Sequence, residues 1–145
     1  MKKKLFLIMI IFSQVSSAQS YLSRSDESFL DTLQHRTFLF FTNEINPENG
    51  MVKDRTQQES AASITASGWA CAVWAIGAER NWITRQRAAE LTLNLLRFLF
   101  NSEQSTRADA TGYQGFYYHF LNMKTGKREW NSELSTIDTA WLIAG

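Results

Sequence analysis

The chain has 145 residues, with 15 lysines and arginines against 14 aspartates and glutamates, and a single cysteine. This balanced charge, without a basic stripe, argues against nucleic acid as a partner. Cys71 has no second cysteine with which to form an intrachain disulfide, and its apolar neighbours predict a buried thiol.

Residues 1–18 have the pattern of a secretory signal peptide. Three lysines at positions 2–4 precede an apolar run from Leu5 to Phe12, and small residues before Gln19 fit a cleavage site. The run is shorter than the roughly 20 residues of a membrane span. We therefore predict a secreted or periplasmic protein with no membrane association after cleavage. Removal of the three lysines leaves 12 basic residues against 14 acidic ones.

The first two predicted helices differ in kind. Ser25 is expected to cap an amphipathic helix that begins at Asp26 and ends before the NPENG turn. Its apolar positions are Leu30, Leu33, Thr37, Phe40 and Phe41. The second helix, near residues 61–78, is apolar on every side, so it must be surrounded by protein. Three tryptophans of such helices are expected in the core: Trp69, Trp74 and Trp141.

The rest of the chain repeats this alternation. Thr84 is predicted to cap a third, amphipathic helix, and a connection of about residues 101–131 follows. That connection holds a predicted hairpin, with strands Phe116–Leu121 and Lys127–Trp130. A fourth helix, apolar all round, is expected to begin near Glu133 or Ser135.

Half-apolar and wholly apolar helices that alternate in this way predict antiparallel outer and inner helices. Both long connections, about residues 43–60 and 101–131, would then lie at the N-termini of the two inner helices and line a cavity. The fold class is therefore all-α: about four helices and a small β-hairpin from an α/α toroid. Four helices do not close such a ring, so we expect residues 19–145 to be the N-terminal part of a larger domain.

Several linked motifs carry a resemblance to a known family. In order they are LDTLQHRTFLFF, GMVKDRT, ASGWACAVWAIGAERNWITRQRAAE, LRFLFNSEQ and GYQGFYYHFLNMKTGKREWNSELSTIDTAWLIAG. From about Phe29 onward, the chain resembles the N-terminal third of the glycoamylase-like domain that includes glycoside hydrolase family 144, the endo-β-1,2-glucanases. The resemblance implies an (α/α)6 barrel and endo-acting hydrolysis of β-1,2-glucan, with inversion. It also implies active-site roles for Glu133 and Asp138, and a catalytic acid on a later inner helix that this sequence lacks.

The two carboxylates have alternative explanations. Inverting hydrolysis needs an acid and a base roughly 6.5–9.5 Å apart. Glu133 and Asp138 would not share a face of one continuous helix, but both could border the cavity if Glu133 precedes the helix. Asp138 could instead be the acid of a capping box begun by Ser135, bonded to a backbone amide. Glu133 could be a solvated acid of the first helical turn.

Sugar sites favour aromatic platforms beside hydrogen-bonding groups. Strand alternation puts Tyr117 and His119 on one side of the hairpin, as candidate ligand contacts or as a packed face. Trp130 is the best stacking candidate. Asp54 and Arg55, on the other long loop, could hold sugar hydroxyls or bridge loops.

The sequence contains no metal-ligand spacing and no phosphate loop, so neither a metal nor a cofactor is expected. The expected partner is a β-glucan oligosaccharide or polysaccharide; the oligomeric state is left open. Two other functions fit the sequence: a noncatalytic glycan-binding or vestigial helical fragment, and the same fold acting on an α-glucan.

Overall fold

A computed structural model of the chain describes residues 22–145, so the predicted signal peptide lies outside the described residues. The described residues divide into two compact units, residues 22–34 and 35–145. The four helices of the described part are α1 (Arg24–Asn43), α2 (Ile64–Glu79), α3 (Arg85–Asn101) and α4 (Thr136–Ala144). None of these helices is long and apolar enough to cross a membrane.

Helix α1 starts earlier than predicted. The hydroxyl of Ser23, not that of Ser25, accepts the amide hydrogen of Asp26, while the Asp26 carboxylate accepts from Ser23 in return. The buried residue of α1 is Phe38, which lies outside the predicted apolar set and packs where a Cβ on Gly77 would stand. Leu33, inside that set, is 52% exposed. The predicted apolar stripe is therefore wrong in its first half, whereas Phe40 and Phe41 pack against the core as predicted.

Five short strands lie in the connections: β1 (Ala62–Ser63), β2 (Gly112–Tyr113), β3 (Phe116–Tyr118), β4 (Phe120–Leu121) and β5 (Leu134–Ser135). Strands β2, β3 and β5 form one antiparallel sheet, with Tyr117 opposite Ser135. Strand β4 pairs with β1, with Ala62 opposite Leu121. The second long connection is thereby joined to the first, and both meet at the N-termini of α2 and α4, as predicted. We call this end of the structure the loop face.

The predicted hairpin is present in part. The turn is closed by a bridge between Leu121 and Arg128 and by the Asn122 amide donating to the Lys127 carbonyl at 2.7 Å. The predicted strand Phe116–Leu121 is interrupted at His119, whose amide donates to Glu133 and whose carbonyl accepts from Ile64. The backbone changes pairing partner at that residue, so the strand alternation expected from the sequence does not apply across it.

The core lies between α2, α3 and the two connections. Its most buried side chains include Trp74, whose indole nitrogen donates to the Phe41 carbonyl. Trp69 and Trp141 contact each other with ring centroids 5.4 Å apart but remain 43% and 45% exposed. They are therefore not core residues of this chain, although Trp74 is. Cys71 is half-buried, and burial raises the pKa of its thiol.

Candidate functional site

The two inner helices begin with the same local structure. Ser63 caps α2 and Ser135 caps α4, each accepting the amide hydrogen of the residue three positions later. Four residues after each cap, Ser67 and Thr139 donate their hydroxyls back to the carbonyl of the capping serine. Each of these hydroxyls also accepts an amide hydrogen from a neighbouring segment, that of Val52 or Tyr117. The sequence signal is a serine followed four positions later by a hydroxyl residue.

The two helix starts differ at the third helical position, where α2 has Ala66 and α4 has Asp138. An alanine completes the structure in α2, so the motif itself does not need an acid there. The Asp138 carboxylate accepts hydrogen bonds from two hydroxyls, Thr65 of α2 at 2.8 Å and Ser135 at 2.5 Å. It therefore does not merely satisfy a backbone amide, as the capping-box explanation expected. Its side chain is 16% exposed.

Glu133 precedes β5 and α4, which allows it to approach Asp138 from outside the helix. His119 lies between the two acids, with its Nδ1 atom 2.9 Å from Glu133 Oε1 and 3.5 Å from Asp138 Oδ2. The carboxylate of Glu133 is 66% exposed. The structure thus brings three of the predicted site residues together at the loop face, and we call them the His119 cluster.

Both acids of the His119 cluster favour the charged form. Burial by itself raises the pKa of Asp138, but hydrogen bonds from Ser135 and Thr65, together with nearby His119, lower that pKa below its ordinary value. A hydrogen bond from its own backbone amide, and then the contact with His119, lower the pKa of Glu133. At neutral pH both side chains are carboxylates that accept hydrogen bonds.

One ligand-type atom from each member of the His119 cluster lies within 4.8 Å of the other two. The sequence offered no metal spacing, because the three residues are 14 and 5 positions apart. The imidazole already contacts Glu133, and both oxygens of Asp138 already accept hydroxyls. Each member of the cluster therefore already has at least one hydrogen-bond partner within the protein.

A row of rings leads away from the cluster. His119 stacks on Phe120 with ring centroids 3.9 Å apart, and Phe120 lies 5.5 Å from Trp130. Trp130 is 63% exposed, and its role as a stacking platform stays a prediction. We call these three rings the aromatic row. Phe120 is a member that the sequence analysis did not select, because strand alternation put it on the side opposite His119.

The turn that carries Trp130 has a strained backbone, and the side chain of Arg128 holds it in place. Trp130 and Asn131 both adopt left-handed backbone angles, with φ of 53° and 60°. Such angles cost of order 1–3 kcal/mol for a residue with a side chain and persist only where neighbours enforce them. Arg128 donates to the carbonyls of Asn131 and Ser132, and its guanidinium lies 4.3 Å above the ring of Tyr118. The arginine therefore fixes the turn between Trp130 and Glu133.

The remaining predicted residues lie apart from the His119 cluster. The Tyr117 hydroxyl donates to the carbonyl of Leu99 at the end of α3, so Tyr117 points away from the side of His119. The prediction that these two share a side is wrong, because the backbone changes pairing partner at His119. Asp54 and Arg55 pair with each other at 2.9 Å within one loop and do not bridge two loops.

No protein-family model matches the chain. One curated relative is the exo-β-1,2-glucooligosaccharide sophorohydrolase (non-reducing end) of Parabacteroides distasonis. It is 28% identical over 116 residues, which are 79% of this chain and 15% of that protein. The chain therefore spans a small part of the length of the curated relative that it matches.

Solved structures share the fold. A candidate glucoamylase from Bacteroides uniformis has a TM-score of 0.68 and 26% identity, covering 86% of this chain and 29% of that one. The β-1,2-glucanase of Parabacteroides distasonis has a TM-score of 0.69 and 23% identity, covering 86% and 18%. The endo-β-1,2-glucanase of Chitinophaga pinensis, in complex with sophorotriose and glucose, has a TM-score of 0.66 and 19% identity, covering 80% and 29%. The chain thus has the fold of the N-terminal part of α/α-toroid glucanase-like proteins, and it is similar to those of glycoside hydrolase family 144, as its motifs predict.

Proposed function

We propose that this chain is part of an exported glycoside hydrolase that cleaves β-1,2-linked glucan, and that the loop face binds the sugar chain. The observation that carries the proposal is Asp138. It occupies a position where the equivalent helix start has Ala66, so the fold does not require its carboxylate. The similarity to β-1,2-glucan hydrolases supplies the substrate class.

The geometry supports a division of roles. Inverting hydrolysis needs its two carboxyl groups roughly 6.5–9.5 Å apart, with room for a water molecule. The nearest ligand atoms of Glu133 and Asp138 lie within 4.8 Å of each other, which is shorter than that spacing. Both groups are also ionised, whereas a proton donor needs a raised pKa. We therefore assign Asp138 and Glu133 to water activation or to holding hydroxyls, and the proton donor to another part of the protein.

The test is hydrolysis of linear β-1,2-glucan, followed by the appearance of new reducing ends. We expect cleavage by a form extended to the length of the solved relatives, and none by the 145-residue chain. In the extended form, Asp138→Asn should lower kcat by about 10²-fold or more, since general acid–base contributions are of that order. Asp109→Asn, an exposed acid paired with Arg107 and Lys127, is the control and should keep full activity.

A second candidate function is glycan binding without catalysis. The lowered pKa values of both acids and the exposed Trp130 favour it, because hydroxyl-accepting carboxylates beside an indole are enough to bind a sugar. Binding of β-1,2-glucan by the extended form without any cleavage would select this function. Cleavage of an α-glucan in place of the β-linked polymer would contradict both. Cleavage by the 145-residue chain alone would contradict the assignment of the proton donor.

A further inference from the structure

A cavity opens between the two long connections, and none of its lining residues belongs to the His119 cluster. Its volume is about 590 Å³, within the range of ligand pockets. One wall comes from residues 58–61 of the first connection, and the other from residues 122–124 of the second. Trp130 lies at its edge. We call this space the loop cavity.

The two connections that form the walls of the loop cavity are fixed to each other. The side-chain amides of Asn46 and Asn49 both donate to the carbonyl of Met123, at 2.5 and 3.0 Å. Asn122 folds the turn on the other side, because its side-chain oxygen accepts the amide hydrogens of Lys124 and Thr125. Because the two connections are already fixed, little conformational entropy is lost when a ligand binds in the cavity.

The lining suits a neutral ligand rich in hydroxyl groups. Two lysines, Lys53 and Lys124, face two glutamates, Glu59 and Glu129, so neither sign of charge is in excess. Gln58 and Asn122 add amides that both donate and accept. A phosphate would favour an excess of cations, and a metal ion an excess of carboxylates. Each hydroxyl of a sugar, by contrast, can donate to one group and accept from another.

Several of these groups are available. Within residues 22–145, the side chains of Gln58, Glu59 and Lys124 make no hydrogen bond or ion pair with the protein. Lys53 is paired with Glu44, and Glu129 accepts from Asn122. The lining thus combines groups held in place with groups free to meet a ligand.

Trp130 links the loop cavity to the candidate active site. Trp130 belongs both to its edge and to the aromatic row, which ends at His119 beside the two carboxylates. We propose that the loop cavity is a further sugar-binding subsite, which holds glucosyl units of the same chain at a distance from the bond that is cleaved. Trp130 stacks on one unit, and Lys124 and Glu59 bind its hydroxyls. This inference rests on the proposed function for its ligand, and it adds a binding region outside the His119 cluster.

The experiment measures binding of a β-1,2-linked glucose pentasaccharide to the purified 145-residue chain by titration calorimetry. This form is used because it is expected not to cleave the ligand. The Lys124→Ala and Trp130→Ala variants should each weaken binding about tenfold, the effect of losing a charge-assisted hydrogen bond or a stacking platform. Lys127→Ala is the matched control, because this neighbouring lysine pairs with Asp109 and does not line the cavity. Its affinity should equal that of the wild type. Circular dichroism melts identify any variant that fails to fold, and Glu59→Gln, a nearly isosteric change on an exposed side chain, then replaces it.

The outcomes separate the two proposals. Unchanged affinity in Lys124→Ala and Glu59→Gln, with weakened binding in Glu133→Gln, overturns the subsite and leaves the proposed function in place. Equal loss in Lys124→Ala and Lys127→Ala also overturns it, because the effect would then be one of net charge. No binding of the pentasaccharide to the wild type overturns the subsite together with the substrate class.

Discussion

At the scale of single residues, Asp138 shows how an ordinary helix start acquires a charged group. The carboxylate is held by Thr65 from one inner helix and Ser135 from the other, so it joins the two helix N-termini. Hydrogen bonds to a charged group stabilise by about 1.5–3 kcal/mol, more than neutral ones. The partial positive charge of the α4 N-terminus adds to this. The Asp138 carboxylate thus stabilises the loop face, apart from the chemical role proposed for it.

This arrangement predicts a pH dependence of stability. The pKa of Asp138 is lowered in the folded state, so its contribution is present above the ordinary value of 3.8 and is lost as the pH falls through the lowered value. Asp138→Asn cannot titrate and should be less stable than the wild type at pH 7 by about 1–3 kcal/mol. Urea unfolding of both proteins, made in the extended form, at pH 7 and pH 3 measures the difference. A difference that stays constant between these pH values would contradict the prediction.

At the scale of elements, α2 and α4 cross at Gly68. A Cβ added there would lie 2.4 Å from the Cα of Leu142 and 2.8 Å from the carbonyl oxygen of Trp141, both of them backbone atoms of α4. Alanine is favoured over glycine within a helix by about 1 kcal/mol. Overpacking against a backbone costs about 1–3 kcal/mol. The close crossing brings the two helix starts near enough for Thr65 to bond Asp138.

Gly68→Ala should therefore destabilise the protein despite its better helix propensity. We also expect lower thermal stability to accompany loss of the contact between Thr65 and Asp138. Ala75→Gly, at an exposed position of the same helix, is the control and should cost about 1 kcal/mol from propensity alone. Thermal melts of the two variants and of the wild type, all made in the extended form, give the change in melting temperature. A higher melting temperature for Gly68→Ala would show that the helices do not cross this closely.

The elements also show what a sequence can and cannot predict. Helix existence followed from periodicity, and the Thr84 cap and the Ser135 start were correct because capping is decided by neighbouring residues. Tyr117 was misplaced because pairing of β3 with β5 depends on Ser135, a residue 18 positions away. Thr65 escaped notice for the same reason, since its partner Asp138 lies in another helix. Long-range pairing is the information that local patterns lack.

At the scale of the whole molecule, the described chain has an apolar face. A groove of about 730 Å³ runs along α2, α3 and α4, and Phe100 and Ile143 on its walls are 89% and 78% exposed. Exposed apolar area of this kind favours association with other surfaces. The helices that were predicted to be surrounded, α2 and α4, are thus covered on only part of their circumference by the described residues.

The 145-residue chain should accordingly bind a hydrophobic dye and aggregate on heating. A double variant with both Phe100 and Ile143 replaced by serine should give lower dye fluorescence than the wild type, because both residues line the groove. Ile137→Ser is the control, since Ile137 is 67% exposed but does not line the groove. Fluorescence titration of the three proteins gives the comparison. A sharp, reversible two-state melt without dye binding would contradict this prediction.

The pairing of β1 with β4 has a consequence for how such a protein can diverge. The two connections are joined through backbone amides and carbonyls, which every residue except proline supplies in full. Side chains at the tips of these connections can therefore be exchanged by mutation without separating them. A scaffold built in this way lets the side chains that it presents change during evolution while the backbone that carries them stays in place.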